Sequence, residues 1–182
     1  MTTFPVHSSD TAPQGSRPIL AAAQKKFGFV PNLIRVLAEA PAAAEAYTTV
    51  MDIFERSSLS DAEKQTVLLS ASIVNECDYC MAAHSLVAEL NRVPAEIIDA
   101  LRAGTTLPDD RLDALAVLTR SVVETRGWPT EAAKTAFFAA GYGTSEYLEV
   151  IVGVTVKTLS NYVNYAANTP LDTAFEAHQW AA

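Results

Sequence analysis

The feature that most narrows the folds open to this chain is the placing of proline and glycine, which cuts it into helix-length pieces. Proline is tolerated in the first turn of a helix, where its missing N–H would have no partner, and glycine adopts the left-handed conformation that commonly ends one. Pro18 opens an alanine-rich segment that closes at Gly28. A second segment, 31–40, leads to Pro41, and 42–56 follows with Tyr47, Val50, Met51 and Phe54 at helical intervals. Ser60 and Glu63 have the spacing of a capping box, in which each side chain satisfies an amide at a helix start, and the helix they open is predicted to reach about Asn75. Further helices are predicted over 77–90, over 95–103 between Pro94 and Gly104, over 109–126 ahead of Gly127, and over 131–140 behind a Thr130 cap.

The last long segment, 145–167, sets propensity against length. Val150, Ile151, Val152, Val154, Thr155 and Val156 are β-branched and favour a strand. A strand of more than about twenty residues would be far outside the usual range, and Leu148, Ile151, Val152, Thr155, Leu159, Tyr162 and Val163 follow a helical period, so a helix is predicted. The tail from Thr169 reads as a short packed arm. Together these elements predict an all-α chain, a single-domain orthogonal helical bundle over 18–182 preceded by a polar leader over 1–17.

At 182 residues the chain suits one domain with a real core. A net charge of −8 without clustered Lys and Arg argues against nucleic acid and against anionic membranes as partners. The start has neither the basic nor the apolar region of a secretory signal, and 150–156, the most apolar stretch, is much shorter than a membrane span of about twenty residues. A cytoplasmic protein is therefore expected. In such a reducing compartment, two cysteines three residues apart point to redox chemistry more than to a structural staple.

Those cysteines lie in Asn75-Glu-Cys77-Asp-Tyr-Cys80-Met-Ala-Ala-His84. On a helix, residues three and four apart are neighbours, so Cys77, Cys80 and His84 share a face and the sulfurs fall within disulfide reach. Peroxide reduction requires a thiolate, a base or hydrogen-bond network to maintain it, and a second thiol to capture the sulfenic acid. This motif contains all three. A zinc site would require a fourth ligand that the terminal His7 and His178 are badly placed to give, so no metal or other cofactor is expected. Glu76 and Asp78 flank Cys77 and argue against a deep-core cysteine, and a thioredoxin-like reading would need strands around the motif. A helix starting near Asn75 would bring its positive end to Cys77, with Glu76 and Asp78 opposing it, and His84 is open to either protonation state. Tyr79, Tyr147, Tyr162 and Tyr165 read as core or interface aromatics with a wet edge.

The run from Leu59-Ser-Asp-Ala-Glu63-Lys-Gln65 through Ser70-Ala-Ser to Cys77, Cys80, His84 and Ser85 resembles the core of the carboxymuconolactone decarboxylase superfamily, in its alkylhydroperoxidase D-like branch. Lys157-Thr-Leu-Ser-Asn161-Tyr-Val-Asn-Tyr165 and Thr169-Pro-Leu-Asp172 resemble its closing helix. The resemblance implies an all-α fold, assembly into homo-oligomers, Cys80 as the peroxide-attacking thiolate, Cys77 as the resolving thiol and His84 in a proton relay. It implies a small hydroperoxide substrate and a dithiol reductant or carrier protein. Peroxidase members of the family typically carry glutamate where this chain has Gln65; glutamine orients a water or an imidazole but accepts no proton. Glu63 is the other candidate base, alongside its capping role. Two alternatives remain at this level: lactone decarboxylation, whose members do without the cysteine pair, and a redox-responsive oligomeric module without sustained turnover.

Overall fold

The computed structural model describes residues 3–180; Met1 and Thr2 of the predicted leader, and residues 181 and 182 at the end of the predicted domain, lie outside the described residues. The chain is all-α, as the sequence predicts. Its helices are α1 (Arg17–Phe27), α2 (Asn32–Leu37), α3 (Pro41–Glu55), α4 (Asp61–Val74), α5 (Asp78–Leu90), α6 (Ala95–Ala103), α7 (Asp110–Glu124), α8 (Glu131–Ala139) and α9 (Thr144–Ala167). Two short 3-10 turns, Gln14–Ser16 and Thr173–His178, flank them, and no strand occurs among the described residues.

The punctuation acts as its chemistry dictates. Gly28 and Gly104 end α1 and α6 at φ 81° and 67°, a left-handed conformation that costs glycine little. Ser60 Oγ accepts from the Glu63 amide at 3.3 Å, and the Glu63 carboxylate accepts from the Ser60 amide at 2.8 Å, completing the capping box of α4. Thr130 caps α8 by accepting from the Ala133 amide. The β-branched run in α9 is helical because long-range packing outweighs a weak local preference.

Helix α4 is the hub, packed against α5, α7 and α9. Every residue from Gln65 to Ser72 is buried, so α4 has no solvent stripe over two turns. Helix α9 approaches it closely at Gly153, where a Cβ would stand 2.6 Å from Val67 Cγ1 and 2.8 Å from Phe54 Cε2. The tail turn lies along α5, with Phe175 edge-on to Tyr79 at 5.7 Å and to Phe29 at 5.9 Å.

One boundary that differs from the sequence reading bears on the site. Residue 77 is the N-cap of α5 (φ −96°, ψ 92°) and the first helical residue is Asp78, because Glu76 takes a left-handed turn (φ 49°) between α4 and α5. That turn sends Glu76 and Asp78 outward and Cys77 inward, so Cys77 is buried despite its polar neighbours.

Candidate active site

The N-cap position of Cys77 sets the geometry of the sulfurs. Cys80 follows in the first turn of α5 and His84 one turn later, so the two sit on one helical face beside the cap residue. Both thiols are free and buried, and each acts on the titration of the other. His84 Nδ1–H donates to Gln65 Oε1 of α4 at 3.2 Å, which leaves Nε2 as the basic nitrogen.

Cys80, His84 and Gln65 line a cavity of about 400 Å³ between α1, α3, α4 and α5. Its other walls are chiefly apolar, among them Ile19, Leu33, Met51, Phe54, Leu68 and Phe175. Lys26, Asp52, Glu55 and Lys64 contribute to the lining as its charged groups, with Lys26 bridging Asp52 at 3.2 Å and Glu55 at 2.8 Å. Cys77 is not part of that lining and stands behind Cys80.

The opposite side of the sulfurs is sealed by α9. Asn164 Nδ2 donates to Cys80 Sγ at 3.2 Å and to Cys77 Sγ at 3.7 Å, and Ser160 Oγ lies 3.8 Å from Cys80 Sγ. Asn161, on the same stripe, accepts from Asn75 Nδ2 at 2.9 Å. Lys157, one turn before Asn161, is fully buried and its Nζ makes no hydrogen bond of acceptable geometry. Residues 157, 160, 161 and 164 follow the i, i+3, i+4, i+7 spacing of one helical face.

These surroundings separate the two thiols. Burial pushes the Cys80 thiol upward, but the hydrogen bond from Cys77, the Lys157 charge and the Ser160 hydroxyl outweigh it and hold Cys80 well below the ordinary cysteine value. Cys77 moves upward, first because its S–H is committed to Cys80 and then through burial. His84 is held well below the ordinary histidine value by burial and then by the Lys157 charge, so the imidazole is neutral.

Of the residues singled out from sequence, Cys77, Cys80, His84 and Gln65 come together. Glu63 does not join them. It is outside the cavity lining, occupied by Ser60 and by Arg111 Nε at 3.2 Å. Tyr79 is buried and donates to Asp172 Oδ2 at 2.5 Å, Tyr147 stacks on Phe138, and Tyr162 and Tyr165 are exposed. Sequence reasoning missed Lys157, Ser160 and Asn164 as neighbours of the sulfurs. The available signal was their helical spacing in a segment otherwise rich in apolar residues. Among the described residues no group of three or more His, Cys, Asp and Glu side chains is gathered as a metal site.

Residues 39–120 match the model of the carboxymuconolactone decarboxylase family. No curated protein matches the sequence significantly. Among solved structures, the alkylhydroperoxidase core of an uncharacterised peroxidase-related protein from Ralstonia eutropha JMP134 is similar at a TM-score of 0.82, with 21% identity over 94% of this chain and 93% of that one. An uncharacterised peroxidase-related protein from Silicibacter sp. TM1040 aligns at a TM-score of 0.79, with 19% identity over 97% and 94%. The debrominase Bmp8, as a cysteine-to-alanine variant in complex with 2,3,4-tribromopyrrole, aligns at 0.81 with 15% identity over 98% and 95%. At these identities the structural likenesses establish the fold.

Proposed function

We propose that this chain, whose residues 39–120 belong to the carboxymuconolactone decarboxylase family, is a thiol-dependent hydroperoxide reductase that cycles Cys77 and Cys80 between dithiol and disulfide. One observation carries the reading: the Cys80 sulfur lines a chiefly apolar cavity, with a second buried thiol, Cys77, beside it and Asn164 Nδ2 donating to both sulfurs, an arrangement that favours the Cys80 thiolate. In the proposed cycle the Cys80 thiolate attacks the outer peroxide oxygen and the O–O bond breaks. The alkoxide leaves and takes up a proton, and Cys80 becomes a sulfenic acid. Cys77 then attacks that sulfur; the S–S bond forms and water departs. Neutral His84, anchored through Nδ1–H to Gln65, offers Nε2 for proton passage. A dithiol carrier restores both thiols, so each turn converts a hydroperoxide and two thiols to an alcohol, water and a disulfide.

Gln65 gives this relay orientation without a second base, which favours slower turnover than a glutamate would allow. The protein is proposed to act as a homo-oligomer, for which Leu148, Tyr162 and Tyr165 give α9 exposed apolar and aromatic surface. No helix among the described residues is long and apolar enough to cross a membrane.

The test is hydroperoxide consumption coupled to a dithiol reductant. Cys80→Ser should abolish it, and Cys77→Ser should allow one turnover and then stall. Undiminished turnover in the Cys80 variant would sink the reading. One equivalent of disulfide without sustained turnover in the wild type would instead favour a redox-responsive module.

A second reading keeps the sulfurs and changes the substrate. The likeness to the debrominase Bmp8 and the aromatic groups around the cavity, Phe27, Tyr47, Phe54, Tyr79 and Phe175, favour a planar halogenated substrate. There an aryl–bromine bond would become aryl–hydrogen, with two thiols oxidised to the disulfide and bromide and a proton released. Bromide release from a brominated pyrrole, absent in Cys80→Ser, checks it.

A further inference from the structure

The cycle described above leaves one buried group without a task. Lys157 is 0% exposed in the middle of α9, and its Nζ has no hydrogen-bond partner. Lysine ordinarily leads its ammonium to water or to a carboxylate. An isolated buried ammonium costs several kcal/mol, so a lysine in this position either surrenders its proton or lies against an anion.

The groups around it decide between these. Lys157 shares one face of α9 with Ser160 and Asn164, whose side chains reach the Cys80 sulfur at 3.8 and 3.2 Å, and its charge acts on both Cys80 and His84; the other titratable neighbours of Cys80 are Cys77 from the cap of α5 and Tyr47 from α3. From α4 the site receives neutral Gln65. The remaining charged groups, Lys26, Asp52, Glu55 and Lys64, belong to the cavity lining, where both carboxylates are engaged by Lys26. Tyr47 is pushed to a higher pKa by burial and stays neutral, and His84 is neutral as well. A Cys80 thiolate is therefore the anion that the pocket offers to Lys157, and Lys157 is the cation that α9 offers to Cys80.

We propose that Lys157 is the buried counter-ion of Cys80: in the dithiol state they stand as ammonium and thiolate, and closing the Cys77–Cys80 disulfide removes the anion and leaves Lys157 a neutral amine. Lys157 is outside the cavity lining, so it acts through Cys80 and is a positioning residue. The step balances. Oxidation gives up two electrons and two protons, one proton from the Cys77 thiol and one from Lys157, which are the two electrons and two protons that turn a hydroperoxide into an alcohol and water. When the disulfide is reduced, the proton returned to Cys80 passes to Lys157. The proposal rests on the hydroperoxidase reading only for the identity of the oxidant.

The test titrates the reduced protein by ultraviolet thiolate absorbance, comparing wild type, Cys80→Ser and Lys157→Met. Wild type should show a first thiolate midpoint below the ordinary cysteine range, missing from Cys80→Ser. Lys157→Met should move that midpoint upward by at least one pH unit, about a tenfold loss of thiolate on its acid side, with the same absorbance in alkali. An unmoved midpoint would overturn the pairing. If the methionine variant does not fold, the Lys157 side-chain signal in isotope-labelled protein decides: ammonium in the wild-type dithiol, amine in the wild-type disulfide and in Cys80→Ser. Ammonium in all three would overturn it. Neither measurement reads hydroperoxide turnover, so a correct pairing in a protein that consumes no hydroperoxide would reject the proposed function alone.

Discussion

Cys80 stands between two unlike surroundings. On the cavity side it meets neutral His84, Gln65 and apolar walls; on the α9 side it meets Lys157, Ser160 and Asn164, sealed from solvent. The first side presents room and a nitrogen that can take a proton. The second presents charge and hydrogen bonds aimed at the sulfur. Division of this kind lets a thiolate be prepared by groups that no substrate has to displace, because stabilising the anion and admitting the reactant occur on opposite faces of one atom.

The largest way to break that division is to push α9 away. A Cβ at Gly153 would stand within 2.6 Å of Val67 and 2.8 Å of Phe54, closer than side chains tolerate. Gly153→Val should destabilise the fold by about 3 kcal/mol, the upper part of the usual overpacking range, measured by denaturant unfolding. Whatever remains folded should show a raised Cys80 thiol pKa, since Lys157, Ser160 and Asn164 would retreat together. A variant as stable as wild type would show that α9 is not held at this spacing.

Asn164 offers a finer cut. Among the described residues it is the one side chain that hydrogen-bonds both sulfurs, at 3.2 and 3.7 Å. Asn164→Leu removes those bonds at similar volume; a hydrogen bond to a charged group contributes about 1.5–3 kcal/mol. Alkylation of Cys80 at neutral pH should slow by roughly tenfold, with recovery in alkali, where the thiolate forms without help. An equal slowing at every pH would mean that access to the cavity, and not the anion, had changed.

How much of this was legible follows from sequence distance. Cys77, Cys80 and His84 are local to one helix, and the spacing that joins them is a property of every α-helix. Gln65 was drawn in by resemblance, and it meets His84 across nineteen positions. Ser160 and Asn164 reach Cys80 from 80 and 84 positions away, and no periodicity within α9 states which helix its polar stripe will face. The reading of Glu63 as a helix cap needed only Ser60, three residues before it, and the structure keeps it in that role. The left-handed Glu76 was hidden for another reason: glutamate has no special preference for positive φ, and the turn is imposed by the two helices that it joins.

On the cavity side, His84 makes the charge state testable through stability. Its folded pKa lies well below the ordinary value of 6.5 because burial and Lys157 oppose the imidazolium. As pH falls through 6.5 the unfolded chain takes up this proton and the folded chain does not, so the folded state loses stability, by at most about 1.4 kcal/mol per pH unit. The partial exposure of His84 to the cavity reduces that figure. Unfolding free energies of wild type and His84→Gln, compared across this range, should diverge on the acid side with the wild type falling faster. Parallel curves would mean that His84 takes up its proton in the folded protein as readily as in the unfolded chain, and that burial and Lys157 do not hold it neutral.

The smallest effect serves as the control for the comparison. Ser60 and Glu63 begin the same helix that carries Gln65, yet they belong to neither surface of Cys80. Ser60→Ala removes the hydroxyl that accepts from the Glu63 amide, a cap loss of about 1 kcal/mol. Because Gln65 sits more than a turn inside α4 and is buried, fraying at Ser60 should leave its hydrogen bond to His84 intact. Thermal unfolding should therefore show a modest loss while the Cys80 thiolate titration stays where it is in wild type. A shifted titration in this variant would mean that the start of α4 is coupled to the sulfurs, and Glu63 would then return as part of the proton path.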